Sequence, residues 1–326
     1  STSRRQRQMC IRDRCTLPID EHARPQHIYR YIQALAETGV KYVELDFRTV
    51  MKMQELPDEV GYIFRLGDPM FAELTQAFDF NYVLVTIQDL KENINVGRTP
   101  VIIEFPAIHG LSRQLIKLAQ GQISAPISMT RVRGSYPLMS EGEVGEMVWR
   151  AKNAVTVPVD ICPMNGKKTA LDMAIKASRA GVDSLTMCMG RSKNYAALED
   201  YVFTLMSVHD ILPKEISLSA MCRAEMLHHL VFRSRAEDCI TDMMRIIDHD
   251  IANLTNVDTG DRVKLHVSLK DKMMLRHTYV TALQKFAEEE DIPEDLMADM
   301  TDAINHFDFH QFDQEIMYDD KPKLLN

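Results

Sequence analysis

Short β-branched runs recur at a nearly even interval along about the first two hundred residues, with helical patterns between them. No other feature of the sequence limits the fold as tightly. The runs are Val40–Asp46, Gly61–Leu66, Asn81–Ile87, Pro100–Phe105, Pro126–Val132, Thr156–Cys162 and Asp183–Met189, and their starts lie 21, 20, 19, 26, 30 and 27 residues apart. Segments of helical spacing separate them: a first helix at about Pro25–Thr38, then Phe71–Phe78, Leu111–Gln120, Glu141–Ala154 and Thr169–Ala180. Strands alternating with helices of this length make βαβ units and a parallel sheet. An eighth strand is expected around Cys15–Leu17, directly before the first helix. Eight βα units by about residue 205 predict a (β/α)8 barrel. A doubly wound open sheet is the competing arrangement, and it lacks here the Gly-rich first turn that such sheets carry.

Both ends of the chain depart from this pattern. Residues 1–14, STSRRQRQMCIRDR, are strongly basic and have no hydrophobic period. The string reads as translated sequencing adapter, so residues 1–14 are set apart as a non-native tail and residues 15–210 are expected to form the barrel. From residue 211 to 326 strand alternation stops, and Leu218–Phe232, Ala236–Ile251, Lys270–Glu290 and Glu294–Phe307 read as amphipathic helices of a C-terminal region.

Composition narrows the function classes. The formal net charge of -9, from 38 Lys and Arg against 47 Asp and Glu, supplies no basic field for nucleic acid or an anionic membrane. Six cysteines without a CxxC pair fit a reduced, cytoplasmic protein better than a disulfide scaffold. The expected partner is a small anionic substrate, with a homo-oligomer or a partner synthase subunit as further possibilities.

Working residues of a (β/α)8 barrel sit at the C-terminal ends of the strands and in the loops that follow. Those positions hold Glu44, Asp46, Arg65, Asp68, Gln88, Asp89, Glu104, His109, Arg131, Arg133, Asp160, Cys162, Cys188, Arg191 and Lys193. Two clusters stand out. One runs Cys162-Pro163-Met164-Asn165-Gly166-Lys167-Lys168-Thr169 into a helix, and faces Gly190-Arg191-Ser192-Lys193-Asn194 from the next unit. The loops after strands seven and eight are where barrels commonly hold phosphate, and four basic side chains there predict an anion site. The alternative is a pair of solvated loops. In the other cluster, alternation puts Arg131 and Arg133 on one face of a strand. Two guanidiniums in a barrel mouth need carboxylate or phosphate partners, either from substrate or internally from Glu44 and Glu104.

The stretch Ala180-Gly181-Val182, Met189-Gly190-Arg191 and Asn194-Tyr195-Ala196-Ala197-Leu198-Glu199 resembles the homocitrate synthase and isopropylmalate synthase group of the HMG-CoA lyase-like (DRE-TIM metallolyase) superfamily. Thr16-Leu17 before a helix, and Gly39-Val40-Lys41-Tyr42-Val43-Glu44 after it, are similar to the opening of that group. The resemblance spans about Cys15–Leu205. It implies a (β/α)8 barrel, a divalent metal, an acyl-CoA cosubstrate and Claisen-type or lyase chemistry on a 2-oxo acid in amino-acid biosynthesis. Glu44 carries over from the group as an acid/base or orienting residue; a divergent member would hold a carboxylate with Arg131 and Arg133 and bind the anionic cosubstrate with Asn165, Lys167, Lys168, Arg191 and Asn194. Cys162 is a candidate nucleophile if the nearby lysines lower its pKa.

The metal positions depart from the group. Its TLRDG motif reads Thr16-Leu17-Pro18-Ile19-Asp20 here, which puts Pro18 at the catalytic Arg and Ile19 at the ligand Asp, with Asp20 one residue late. Its H-x-H falls on Cys162 and Met164. Sulfur donors suit hard divalent ions poorly. Losing the metal removes the Lewis acid that would polarise a carbonyl. A non-catalytic paralogue that binds ligand is therefore one alternative, and an unrelated barrel enzyme acting on a phosphorylated substrate is another.

Overall fold

The computed structural model describes residues 10–14, 23–53, 55–67, 73–87, 96–107, 126–190, 194–209, 218–232, 298 and 301–302. Eight parallel strands close into a barrel in sequence order. They are β1 (Cys10–Arg14), β2 (Tyr42–Leu45), β3 (Gly61–Arg65), β4 (Tyr82–Thr86), β5 (Val101–Pro106), β6 (Ile127–Ser135), β7 (Val159–Met164) and β8 (Ser184–Met187). The described helices are α1 (Pro25–Glu37), α2 (Phe47–Lys52), α3 (Leu74–Ala77), α4 (Glu141–Ala154), α5 (Ala170–Arg179), α6 (Leu198–His209) and α7 (Leu218–Phe232). The (β/α)8 expectation holds. The seven strands expected from Val40 onward are all present.

The first strand lies earlier than expected. Cys10–Arg14 pairs in parallel with β2 on one side and β8 on the other, which closes the ring. The basic stretch set apart on composition thus contributes the strand the barrel needs, while residues 15–22 lie outside the described ones. Backbone pairing in a parallel sheet asks little of side-chain type, so charge pattern was a poor guide there.

β6 and β7 also run further than expected, because Gly134 pairs with Pro163 and Ser135 with Met164. Pro163 donates no hydrogen bond, yet its carbonyl accepts from the Ala196 N–H at 3.4 Å. Gly134 is required at this point, since a Cβ there would lie 2.4 Å from that of Ala107.

Helix ends follow capping chemistry. α1 starts with Pro at its first position and buries Ile28, Tyr31, Ile32 and Leu35. Asp46, expected at the rim, instead caps α2, its Oδ1 accepting from Thr49 N–H at 2.8 Å and Thr49 Oγ1 at 2.7 Å. α4 carries a full capping box between Ser140 and Glu143. Thr169 does not cap α5; its hydroxyl donates to the Tyr136 carbonyl at 2.6 Å.

The chain divides into two compact units, Ser1–Phe232 and Arg233–Asn326. The barrel unit therefore runs past the expected boundary at residue 210 and takes in α7. His228 and Phe232 of α7 pack edge-on against Tyr31 of α1, with centroids 5.8 and 5.9 Å away. Burying these rings fixes α7 to the first unit. The remaining C-terminal helices expected from the sequence lie outside the described residues, apart from helical positions 298, 301 and 302. Among the described residues no helix is long and apolar enough to cross a membrane.

Burial holds several phenols in their neutral form. It is the main reason the pKa of Tyr62, Tyr136 and Tyr201 is raised, the last to about 12. A raised folded-state pKa adds stability that is complete below the unfolded value of 10.0 and is lost as pH climbs toward the folded one. For Tyr201 this amounts to roughly 2–3 kcal/mol. In an alkaline titration, phenolate absorbance should therefore rise in two stages, the second coinciding with loss of circular dichroism. A single stage completed before unfolding would contradict this burial.

Candidate functional site

Strand alternation sorts the barrel interior into layers. Near the bottom, Ile63, Leu84, Ile102 and Met129 form an apolar cluster with Tyr42 and Tyr82 against it. One step up, Glu104, Arg131, Asp160 and Ser184 are successive partners across β5, β6, β7 and β8, so their side chains stand in one row. This row is charged and buried.

Arg131 is its centre and has no solvent exposure. Its Nε donates to Asp160 Oδ2 at 2.5 Å, and its Nη1 donates to Glu44 Oε2 and lies 3.7 Å from Glu104 Oε2. Arg65 reaches in from β3, with Nε on Glu44 Oε1 at 2.8 Å and Nη2 on Glu104 Oε2 at 2.7 Å. Arg133 closes the set with Nε 2.9 Å from Glu104 Oε1. Ser184 Oγ and Thr186 Oγ1 donate to Asp160 Oδ1 and Oδ2, both at 2.7 Å. Three arginines thus balance three carboxylates. Burial works against the charge on Arg131, but Asp160, Glu44, Cys162 and Glu104 outweigh it and hold its pKa well above the ordinary value.

Of the two sources of partners open to Arg131 and Arg133, the structure shows the internal one. Glu44 has both carboxylate oxygens on arginines, which favours its ionised form and holds it in place.

The top layer holds Cys162 and Cys188, buried against Tyr195 and packed by Met164. The Cys162 thiol sits in an apolar cluster, and Lys167 and Lys168 are exposed. Lys168 adopts a left-handed backbone with φ 56, which lets the chain turn from the 3-10 turn Asn165–Lys167 into α5. The loops after β7 and β8 do meet: Asn165 N–H donates to the Asn194 carbonyl at 2.8 Å, and Met164 bridges to Tyr195. Arg191, Lys193, Ile19, Asp20, Asp68, Gln88, Asp89 and His109 lie outside the described residues.

A hard divalent ion does not fit the donors among the described residues. Cys162 and Met164 offer sulfur within an apolar cluster. Among the described residues, no group of three His, Cys, Asp or Glu could hold a metal.

Tyr136 went unnoticed in the sequence because it directly follows the strand and breaks its alternation. Its phenol is buried and makes no hydrogen bond among the described residues; nor does Nη2 of Arg131. Ser184 and Thr186 were visible in principle, since they alternate on the inner face opposite Asp160.

Removing one member of a buried ion network leaves the others uncompensated, at about 3–5 kcal/mol. Arg131→Met should therefore lower unfolding free energy in urea by that order. Glu146→Ala, which breaks an exposed pair with Arg150, should change it by less than about 0.5 kcal/mol. Similar effects from both would contradict the assignment of Arg131 to the core.

No protein-family model matches this sequence, and no curated protein matches it. Solved structures do match in shape. A hydroxymethylglutaryl-CoA lyase from Pseudomonas aeruginosa shares 10% identity at a TM-score of 0.54, over 74% of this chain and 98% of that one. An HMG-CoA lyase from Acinetobacter baumannii, in complex with coenzyme A and 3-methylmalate, shares 11% at 0.53, over 71% and 93%. The carboxyl transferase domain of Rhizobium etli pyruvate carboxylase, with pyruvate, shares 11% at 0.52, over 78% of this chain and 55% of that one. At this identity the likeness is one of fold: the chain has the barrel architecture found in HMG-CoA lyases and in a pyruvate carboxylase carboxyltransferase domain.

Proposed function

We propose that this protein binds a small carboxylic acid in the barrel mouth, as a divergent relative of barrels that make or break the carbon–carbon bond beside a carbonyl in 2-oxo acids and acyl-CoA thioesters. One observation carries the reading. Arg133 is 32% exposed and its ion pair, through Nε, is with Glu104 alone among the described residues. Its Nη edge is left for a carboxylate, which a guanidinium grips with two parallel hydrogen bonds. The fold neighbours' contents agree in kind: coenzyme A with 3-methylmalate in one, pyruvate in another. The synthase-like specificity suggested by Gly190-Arg191 and Asn194 through Glu199 belongs to the same proposal. There Lys167, Lys168, Asn165, Asn194 and Arg191 receive the anionic arm of an acyl-CoA.

A second reading, a ligand-binding subunit without turnover, is favoured by the locked Glu44 and by sulfur at the family's imidazole positions. In both readings the acid enters on Arg133, and neither needs a hard metal at Cys162 and Met164.

Calorimetric titration with pyruvate, 2-oxoglutarate and acetyl-CoA, with and without chelator, tests the proposal. The expected result is saturable binding, indifferent to chelator, that weakens about tenfold or more in Arg133→Ala. No binding, or binding unchanged in that variant, would contradict it. Free-thiol release from acetyl-CoA and a 2-oxo acid separates the two readings. Release abolished by chelator would overturn the metal-independent site.

A further inference from the structure

We infer that the outer face of α4, centred on Trp149, docks a second copy of this chain, the two helices running antiparallel across a two-fold axis between Gly145 and Glu146. The inference is independent of the acid-binding reading above. It begins from a large apolar side chain left in water. Trp149 is the one tryptophan of the chain and is 65% exposed. Leu138, just ahead of the same helix, is 76% exposed. An indole buries about 150–250 Å² when it is covered, and tryptophan is enriched where proteins meet.

The helix itself defines the outward face. Val144 and Val148 are its buried residues. At 3.6 residues per turn, Gly142, Glu146, Trp149 and Asn153 fall on the opposite side, with Gly145 one turn ahead of Trp149. All of these are exposed except Gly145, which is half-buried. Packing within the chain does not call for either glycine, since a Cβ at Gly142 or Gly145 would meet nothing within 4 Å among the described residues. Each costs the helix up to about 1 kcal/mol relative to alanine. Bare backbone beside an indole makes a hole next to a knob.

Charge selects the occupant. The exposed acids of α4, Glu141, Glu143 and Glu146, lie in its first half, and the exposed Arg150 lies in its second. Lys152 is turned toward Asp183, 2.7 Å away. A second α4 laid antiparallel about this axis sets Trp149 over Gly142 and Arg150 against Glu141 of the other copy, and each contact occurs twice. A parallel pairing would set acids on acids. Such self-complementarity is what a two-fold interface requires, and opposed helix dipoles add to it. The present partners are given up at little cost: Arg150 on Glu146 and Arg179 on Glu141, both at 2.5 Å, are exposed pairs. A helix of 14 residues is only about 21 Å long. The contact is therefore small against the roughly 800 Å² per partner of a stable complex, and a dissociation constant of roughly 10–100 μM is expected.

The indole reports on this face alone, so the test follows sedimentation and tryptophan emission of the full chain over roughly 1–500 μM, a span that brackets the expected constant. Dimer should form as concentration rises, with emission moving to shorter wavelength and acrylamide quenching falling in step. Arg150→Glu and Glu141→Arg should each weaken association at least about tenfold, by setting like charges together. An equimolar mixture of the two variants should restore it, because each supplies the charge that the other lacks. Both variants should melt with wild type in dilute solution, since the two positions are exposed. An indole already shielded at the lowest concentration would mean that its own chain covers it, and would overturn the inference. So would a monomer at every concentration, a dimer whose indole stays open to quencher, or reversals that fail to weaken association or fail to rescue one another. If a reversal unfolds the protein, the wild-type sedimentation and quenching curves decide by themselves.

Discussion

A fully buried guanidinium governs this barrel. Arg131 stands in the middle of the interior where such barrels ordinarily stack branched aliphatic side chains, and everything around it answers its charge. Taking one ion out of water costs several kcal/mol even after relaxation. The cost is met only by placing Asp160, Glu44 and Glu104 around it and by bringing Arg65 and Arg133 in to balance those carboxylates. Ser184 and Thr186 then satisfy Asp160. These eight side chains are drawn from six strands (β2, β3, β5, β6, β7 and β8) of a closed ring, with two each from β6 and β8. The register between strands is thereby tied to charge pairing as well as to apolar packing.

That layer also shapes what chemistry remains. A carboxylate held by two arginines is a poor proton shuttle, and the Cys162 thiol is packed on Cys188 and Tyr195. What this layer presents to solvent is the partly exposed side chain of Arg133.

The alternation of β-branched runs with helical spacing was enough to read the barrel, because a period of about twenty to thirty residues per βα unit leaves few other parallel arrangements. Edges were harder to read. Cys10–Arg14 has the composition of a tail and becomes a strand through backbone pairing to β2 and β8, which composition does not report. α2 is too short to show a period and is held by Asp46. For the site, alternation placed Arg131 and Arg133 on one face, but it left open whether their partners were internal. Only the register that aligns Glu104, Arg131 and Asp160 across three strands decides that. Tyr136 lies just past its strand, where no periodic signal extends.

The most direct test of the account is whether this layer behaves as one charge-balanced unit. Unfolding free energies would be measured for Arg131→Met, for the double change Glu44→Gln with Asp160→Asn, and for all three together. The account predicts strong non-additivity, with the triple variant at least about 2 kcal/mol more stable than the sum of the separate losses, because no buried charge is left without its complement. Losses that simply add would show that Arg131, Glu44 and Asp160 act independently, and would contradict it.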